Sequence, residues 1–325
     1  MKYISLPTDE VRILPFYLAM EEYVARTIDE EDCFFMWQVN PTVIFGRNQL
    51  IENEVNLDYC RKHNIQTYRR KSGGGCVYAD MSNIMFSYVT KNEQVCYTFS
   101  RYISMIALML HKLGIDAQTT GRNDIVIDGR KVSGNAFYHI PGRSIVHGTM
   151  LYDTCMENMV GSITPNDEKL LSKGVKSVRQ HIALLKDYTP LSIDEFKLFV
   201  RQNLCDGEIC LTADDVADVE RIMQEYLTDD FIYGNNPRYT LIRKRRFEGV
   251  GDFEVRMQLK NNVIRDLDLK GDYFLVGDLD RDLLCHLHGV TLDEPSLRAV
   301  LSTLSLSSVI HNMDAEMFLR LLLDK

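Results

Sequence analysis

Apolar positions divide the chain into stretches of two different rhythms. Residues 15 to 27 carry apolar side chains at helical spacing, with Pro15 near the start and Glu21 and Glu22 expected on the polar side. Phe34–Phe35–Met36–Trp37 and Thr42–Val43–Ile44–Phe45, separated by Asn40–Pro41, read as strands, as does Ile84 to Val89. Ile103, Ile106, Ala107, Leu110 and Leu113 then return to helical spacing and stop at Gly114, a suitable C-cap. Ile125–Val126–Ile127, the turn pair Asp128–Gly129 and Lys131 to Tyr138 form a hairpin pattern, because Asp-Gly supplies the positive φ values of a tight turn. A third strand is expected over Ser144 to Tyr152.

Two capping boxes, Ser192 with Glu195 and Thr212 with Asp215, open helices that run toward Leu204 and Leu227. Beyond Tyr239 the pattern is again that of strands. Phe253, Val255, Met257 and Leu259 alternate, Asn261–Asn262 turns the chain, Val263 to Leu269 pairs back, and helices follow near 278–287, 295–304 and 314–324. Strands and helices mix without regular β-α-β alternation, which points to the α+β class. The change of pattern divides the chain into a large domain, 1–246, and a small α+β domain, 247–325.

Composition narrows the function. With 45% hydrophobic and 26% charged residues over 325 positions, the chain has the make-up of a folded globular protein. The apolar runs are too short to span a bilayer, and the N-terminus lacks the apolar segment of a signal peptide, so a cytoplasmic protein without a membrane partner is expected. The formal charge of −9 speaks against nucleic-acid binding. Eight cysteines without a CxxC pair favour reduced thiols over a zinc site.

Candidate chemistry concentrates in three segments. In Arg69–Arg70–Lys71–Ser72–Gly73–Gly74–Gly75–Cys76–Val77–Tyr78, three glycines remove every β-carbon from a short loop. Its backbone N–H groups can then converge on a phosphate or carboxylate beside the basic residues, although a plain glycine-rich turn has the same composition. Arg70 is suited to a bidentate grip on an oxyanion. In Gly121–Arg122–Asn123–Asp124 and Asp128–Gly129–Arg130–Lys131–Val132–Ser133–Gly134–Asn135–Ala136, alternation places Lys131, Ser133 and Asn135 on one strand face, either a site or an exposed sheet surface. His147–Gly148–Thr149 sits in a strand that is otherwise largely apolar, where a histidine is a ligand, a base or a packed hydrogen-bonded side chain.

In combination, RRxSGGGxVY, GRNDxxxDGRKVSGNA and HGT resemble the lipoate-protein ligases of the biotin/lipoate ligase superfamily. Leu18–Ala19–Met20–Glu21–Glu22, Gly46–Arg47–Asn48–Gln49, Asn53–Glu54 and Lys173–Gly174–Val175–Lys176–Ser177–Val178–Arg179 extend the resemblance, which runs from about residue 10 to 245 and weakens beyond. The resemblance implies a catalytic domain with a mixed or antiparallel sheet and an accessory C-terminal domain. It implies ATP and Mg2+ as cofactors. The implied partners are lipoate and the lipoyl carrier domains of 2-oxoacid dehydrogenases and the glycine-cleavage H protein. Residue by residue, it makes Lys131 the group that contacts both the acyl carbonyl and the phosphate, and Arg70 a ligand of phosphate or carboxylate. Ser72, Gly73, Gly74, Gly75, Cys76, Val77 and Tyr78 become the nucleotide loop. Asn123 and Asp124 lie near the nucleotide, with Asp124 at the metal, and Ser133, Gly134, His147 and Thr149 complete the pocket. Two departures from the family pattern are Cys76 after the glycines and Ala79 before Asp80; the second puts the fine substrate preference, lipoate or octanoate, in doubt.

The implied reaction is ATP-dependent: a carboxylate attacks the α-phosphate, pyrophosphate leaves, and the acyl-adenylate is taken by a carrier lysine. Two other functions fit parts of the pattern. An ATP-independent octanoyl or lipoyl transferase would need a cysteine thioester, with Cys76 and Cys155 as candidates. A non-catalytic acyl-nucleotide or carrier-binding protein would not need Lys131.

Overall fold

A helix with almost no polar face must be buried all round. The segment Leu14–Thr27 (α1) is such a helix: every residue from Leu14 to Ala25 is buried. Glu21 and Glu22 are included, each at 0% exposure. The expectation that they form a polar side is corrected, because sheet and helix cover the whole circumference of α1. The computed structural model describes the chain apart from Leu50, Asn261, Lys325 and the ranges 92–93, 121–122, 164–180 and 234–240. It falls into two compact units. The first comprises Met1–Phe45, Ile51–Arg70 and Cys76–Ile232, and the second Gly46–Leu50, Lys71–Gly75 and Tyr233–Lys325.

The strands of the first unit are β1 (Lys2–Ser5), β2 (Asp32–Trp37), β3 (Thr42–Phe45), β4 (Gln66–Arg69), β5 (Val77–Ala79), β6 (Ile84–Thr90), β7 (Ala117–Thr119), β8 (Asp124–Ile127), β9 (Arg130–Ile140), β10 (Arg143–Met150) and β11 (Gly207–Cys210). Eight of them form a mixed sheet in the order β11-β1-β2-β6-β10-β9-β8-β7, and β4-β3-β5 form a smaller one. β1 runs parallel to β2 and β11, while β2 through β10, β9, β8 and β7 pair antiparallel. The helices are α1, α2 (Ile51–Glu54), α3 (Leu57–Lys62), α4 (Val95–His111), α5 (Met156–Ser162), α6 (Ile193–Leu204), α7 (Ala213–Tyr226) and α8 (Asp229–Tyr233).

α1 and α4 cover opposite faces of the large sheet. His147 on β10 reaches Glu21 of α1. Phe137, which pairs with the next residue Val146, packs its ring 4.7 Å from that of Phe99 on α4. Neighbouring strand residues point to opposite faces, so the two helices lie on different sides. Both capping boxes form in full: Ser192 Oγ accepts from Glu195 N and Thr212 Oγ1 from Asp215 N, and each acid accepts the cap's own N–H in return. The turn between β8 and β9 has the positive φ values expected, 51° at Asp128 and 73° at Gly129.

The second unit holds β12 (Leu241–Phe247), β13 (Gly251–Lys260) and β14 (Val263–Asp272) in the order β12-β13-β14, with α9 (Leu279–Asp282), α10 (Glu294–Leu301) and α11 (Ala315–Leu323). Phe253, Val255 and Met257, with Leu267 and Leu269, turn one sheet face onto Leu287, Leu297, Leu301, Phe318 and Leu322 as a single core. The turn into β14 is closed by Asn262 at φ 61°. Sheets and helices are mixed in both units, and the protein is α+β.

Candidate functional site

The site of the first unit is built around an irregularity in β9. Ile125 pairs with Ser133 and Val126 with Lys131, so Val132 is an extra residue in the ladder. A β-bulge of this kind redirects the side chain beside it. Lys131 therefore crosses Gly134: a β-carbon at position 134 would lie 2.7 Å from both Cε and Nζ of Lys131. Its ammonium reaches Asp124 Oδ1 at 2.8 Å. The expectation that Lys131, Ser133 and Asn135 share a face is corrected. Ser133 Oγ and Asn135 Oδ1 do lie together, 3.3 Å apart, but Lys131 shares the opposite face with Gly134 because the bulge breaks the alternation.

Asn123 and Asn135 lock the start of β8 to β9 by reciprocal bonds. Asn123 Nδ2 donates to Asn135 O and Asn135 Nδ2 to Asn123 O, both at 3.0 Å. On β10, Thr149 stands opposite Gly134 and His147 opposite Ala136. Both side chains consequently fall on the Lys131 face. The structure thus brings Asp124, Lys131, Gly134, His147 and Thr149 onto one sheet surface.

Sequence reasoning did not find what holds His147. Its Nδ1 lies 2.9 Å from Glu21 Oε2 and 3.0 Å from Oε1. Ser87 Oγ donates to Glu21 Oε1 at 2.6 Å, and Trp37 Nε1 donates to Ser87 Oγ at 2.9 Å. Tyr138 donates to Glu21 Oε2 at 3.4 Å, and burial, with the nearby Tyr226 and Glu21, holds its phenol far above the ordinary range. The neighbouring Glu22 accepts from Tyr226 and, at 2.8 Å, from Arg26. The available signal was a pair of acids inside a helix with no other polar stretch.

Arg70 is buried, with its N–H donating to Phe45 O at 3.0 Å and its guanidinium to Ile44 O at 3.1 Å. Cys76 and Val77 are partly buried, and Tyr78 is fully buried, its hydroxyl accepting from Asn158 at 3.4 Å. Burial pushes the Cys76 thiol well above the usual range, Glu54 adds to the effect and Arg70 opposes it. Cys155 is exposed. The described residues contain no group of three or more His, Cys, Asp or Glu able to hold a metal ion. Asp124 is a single carboxylate, which suits an ion held chiefly by substrate phosphates.

Within the second unit, Ser72 to Gly75 pack closely against β14 and its continuation. Ser72 O accepts from Arg47 N at 2.9 Å, and Gly74 N donates to Tyr273 O at 3.0 Å. A β-carbon at Gly73 would collide with Tyr273 O, and one at Gly75 would lie 2.8 Å from Asp272 Oδ2. The glycines are required here by backbone approach. Gly121, Arg122 and the segment 173–179 lie outside the described residues.

Residues 15–205 match the family described as the lipoyl protein ligase A/B catalytic domain, and residues 236–322 the bacterial lipoate protein ligase C-terminus. The chain is 34% identical to lipoate–protein ligase 1 of Staphylococcus aureus, over 99% of this chain and 100% of that one. It is 32% identical to lipoate-protein ligase LplJ of Bacillus subtilis, over 94% and 95%. Among solved structures, a bipartite lipoate protein ligase from Thermoplasma acidophilum, determined in a study that included its E2 lipoyl domain, superposes with a TM-score of 0.65 at 26% identity, over 74% of this chain and all of that one. The lipoate complex of P. falciparum LipL1 has a TM-score of 0.75 over 100% and 99%, and at 20% identity shows the fold alone. No helix among the described residues is long and apolar enough to cross a membrane.

Proposed function

The chain belongs to the lipoate-protein ligase family, and on that premise we propose that it activates lipoate, or octanoate, with ATP and transfers the acyl group to a lysine of a lipoyl carrier domain. The observation that carries the reading is Lys131, turned by the bulge across Gly134 to within 2.8 Å of Asp124. A cation held beside a carboxylate on a shared sheet face is preorganised for a site where negative charge passes between carboxylate and phosphate.

A carboxylate oxygen attacks the ATP α-phosphate, the bond to the β-phosphate bridge breaks, and pyrophosphate leaves. Lys131 offsets the charge gathered on the carboxylate and phosphate oxygens, and Arg70 is assigned to the same anions. Gly134 and Thr149 share the sheet face of Lys131, Asn123 and Ser133 brace β9 through Asn135, and Cys76, Val77 and Tyr78, in and beside β5 of the smaller sheet, are assigned to the nucleotide. Asp124, together with the substrate phosphates, would hold Mg2+, which would supply further charge compensation. In the second half-reaction the deprotonated ε-amine of the carrier lysine attacks the acyl carbonyl, an amide bond forms and AMP departs with the electron pair of the broken C–O bond.

The carriers are assigned as the lipoyl domains of 2-oxoacid dehydrogenases and the glycine-cleavage H protein, in the cytoplasm, with residues 1–246 catalytic and 247–325 accessory. The raised Cys76 thiol supports the ligase over a thioester transferase, since a thiol kept protonated is a poor nucleophile. The test is lipoate-dependent pyrophosphate release, followed by a lipoyl mass increase on the lysine of a recombinant carrier domain. Acyl transfer that needs no ATP, through a trapped acyl-cysteine, would overturn the reading.

A further inference from the structure

Resting on the ligase reading, we propose that Tyr188 is a positioning residue: it holds the register of β8 against β9 that turns Lys131 onto the face of Gly134. Two registers compete at this hairpin. In the observed one, Ile127 pairs with Arg130 and Val126 with Lys131, Asp128 and Gly129 make the turn, and Val132 is the extra residue. Continuing the pair of Ile125 and Ser133 without a bulge would set Val126 against Val132 and Ile127 against Lys131, with Asp128, Gly129 and Arg130 all in the turn. Lys131 would then share the face of Ser133 and Asn135, as plain alternation along the sequence expects, because a slip of one residue sends a side chain to the other face. The choice of register therefore decides whether Lys131 lies beside Asp124 and across Gly134.

β10 ends at Met150, opposite Ser133, so Lys131 and Val132 lie beyond its last pair with β9. Residues 182–188 take over that side of the strand. Ile182 bridges Lys131 in parallel, and Ala183 N donates to Lys131 O at 2.8 Å, while Val132 O accepts from Leu151 N at 2.9 Å. The segment is itself anchored: Leu185 N donates to Leu151 O at 2.7 Å and Lys186 N to Tyr152 O at 3.1 Å, and Ala183 and Leu185 are buried. It ends at Tyr188. That hydroxyl donates to Asp128 Oδ2 at 3.0 Å and accepts from Arg130, whose guanidinium carbon lies 5.9 Å from the centre of the tyrosine ring. A hydroxyl has one proton to give, and here it grips the turn on both sides of Gly129. The longer turn of the other register takes Arg130 from its place opposite Ile127 and loses that grip.

Tyr188→Phe keeps the ring and removes both bonds of the hydroxyl. The kcat for lipoyl-AMP formation should fall roughly 10-fold, the size of one lost hydrogen bond to a charged partner, while KM for ATP and for lipoate stay within about twofold. In a Lys131→Ala background the same substitution should cost nothing further, because no ammonium is left to place; a general loosening of the fold would lower both backgrounds alike. Backbone NMR of Tyr188→Phe should show a second set of resonances over residues 126–132, with Overhauser contacts joining Val126 to Val132 in place of Lys131. Should Tyr188→Phe not fold, Asp128→Asn keeps a residue that tolerates positive φ, removes the carboxylate that Tyr188 bonds, and should act in the same sense by a smaller factor. The inference is overturned by wild-type kcat in the folded variants, by equal losses in the two backgrounds, or by the wild-type register alone in Tyr188→Phe. Failure of the wild type to form lipoyl-AMP would defeat the ligase reading instead, and the register seen by NMR would still decide the role of Tyr188.

Discussion

In the first unit two neighbouring carboxylates, Glu21 and Glu22, are buried completely in one helix, whereas in the second the carboxylates stand in pairs with cations along one sheet face. Glu21 and Glu22 are buried completely, each beneath hydroxyl or ring donors, and Asp124 is tied to a single lysine. On β12 and β13, Glu254 receives Lys244 at 2.9 Å and Arg256 at 2.6 Å, and Arg246 meets Asp252 at 3.1 Å, with the apolar core on the other face. Burying a carboxylate costs several kcal/mol unless its partners are well placed. Such an arrangement belongs where geometry matters to chemistry. In the second unit the pairs run from Glu254, 8% exposed between Lys244 and Arg256, to the more open Arg246 with Asp252, and there they tie β12 to β13. Substitutions in the first unit should therefore appear in rates and KM, and those in the second in unfolding.

The largest effect is expected from Lys131→Ala. Removing the cation from the Gly134 surface should lower adenylation by roughly 10²–10³-fold, as loss of one preorganised charge-stabilising group does elsewhere, while circular dichroism and thermal midpoint stay near wild type. An unfolded variant would make Lys131 structural and erase the contrast. In the second unit, Leu297→Ala removes a side chain at 0% exposure from the core, and should cost about 2–5 kcal/mol in denaturant unfolding.

Glu254→Gln sharpens the comparison through pH. Burial raises the Glu254 carboxyl, but the Lys244 hydrogen bond and the Arg256 hydrogen bond and charge outweigh it, so the net shift is downward. The resulting stability is present above the unfolded value, about 4.3, and is lost as pH falls through the depressed folded value. The variant should therefore lose about 1–2 kcal/mol at neutral pH, and melting curves of the two proteins should converge in acid. The smallest effect belongs to Cys76→Ala, which should retain most ligase activity because a thiol held protonated by its surroundings is a poor nucleophile. Abolished activity with an acyl-cysteine trapped in the wild type would reverse that conclusion.

Much of this organisation was legible from local chemistry. The Asp128–Gly129 turn, the boxes at Ser192 and Thr212 and the alternation from Phe253 to Met257 depend on neighbours in sequence, and each forms as expected. The α4 helix starts at Val95, before the periodic stretch from Tyr102. The parallel pairing of β1 with β2 and β11 depends on distant partners and left no local signal. The same is true of the site. Lys131, Asp124 and His147 stood out as residue types, but the bulge at Val132 decides which face Lys131 takes, and it arises from the register of β8 against β9. Glu21 was misplaced because two acids in a helix suggest a wet face, until Ser87, Trp37 and His147 supply partners from three strands.

The central claim is that the protein forms an acyl-adenylate without help from a carrier. Mass spectrometry of a carrier-free reaction containing the protein, ATP, Mg2+ and lipoate tests it most directly. The account predicts lipoyl-AMP in the wild type, with pyrophosphate in equal amount, and little of either in Lys131→Ala. No lipoyl-AMP from a folded wild-type protein, or equal amounts from both proteins, would contradict it.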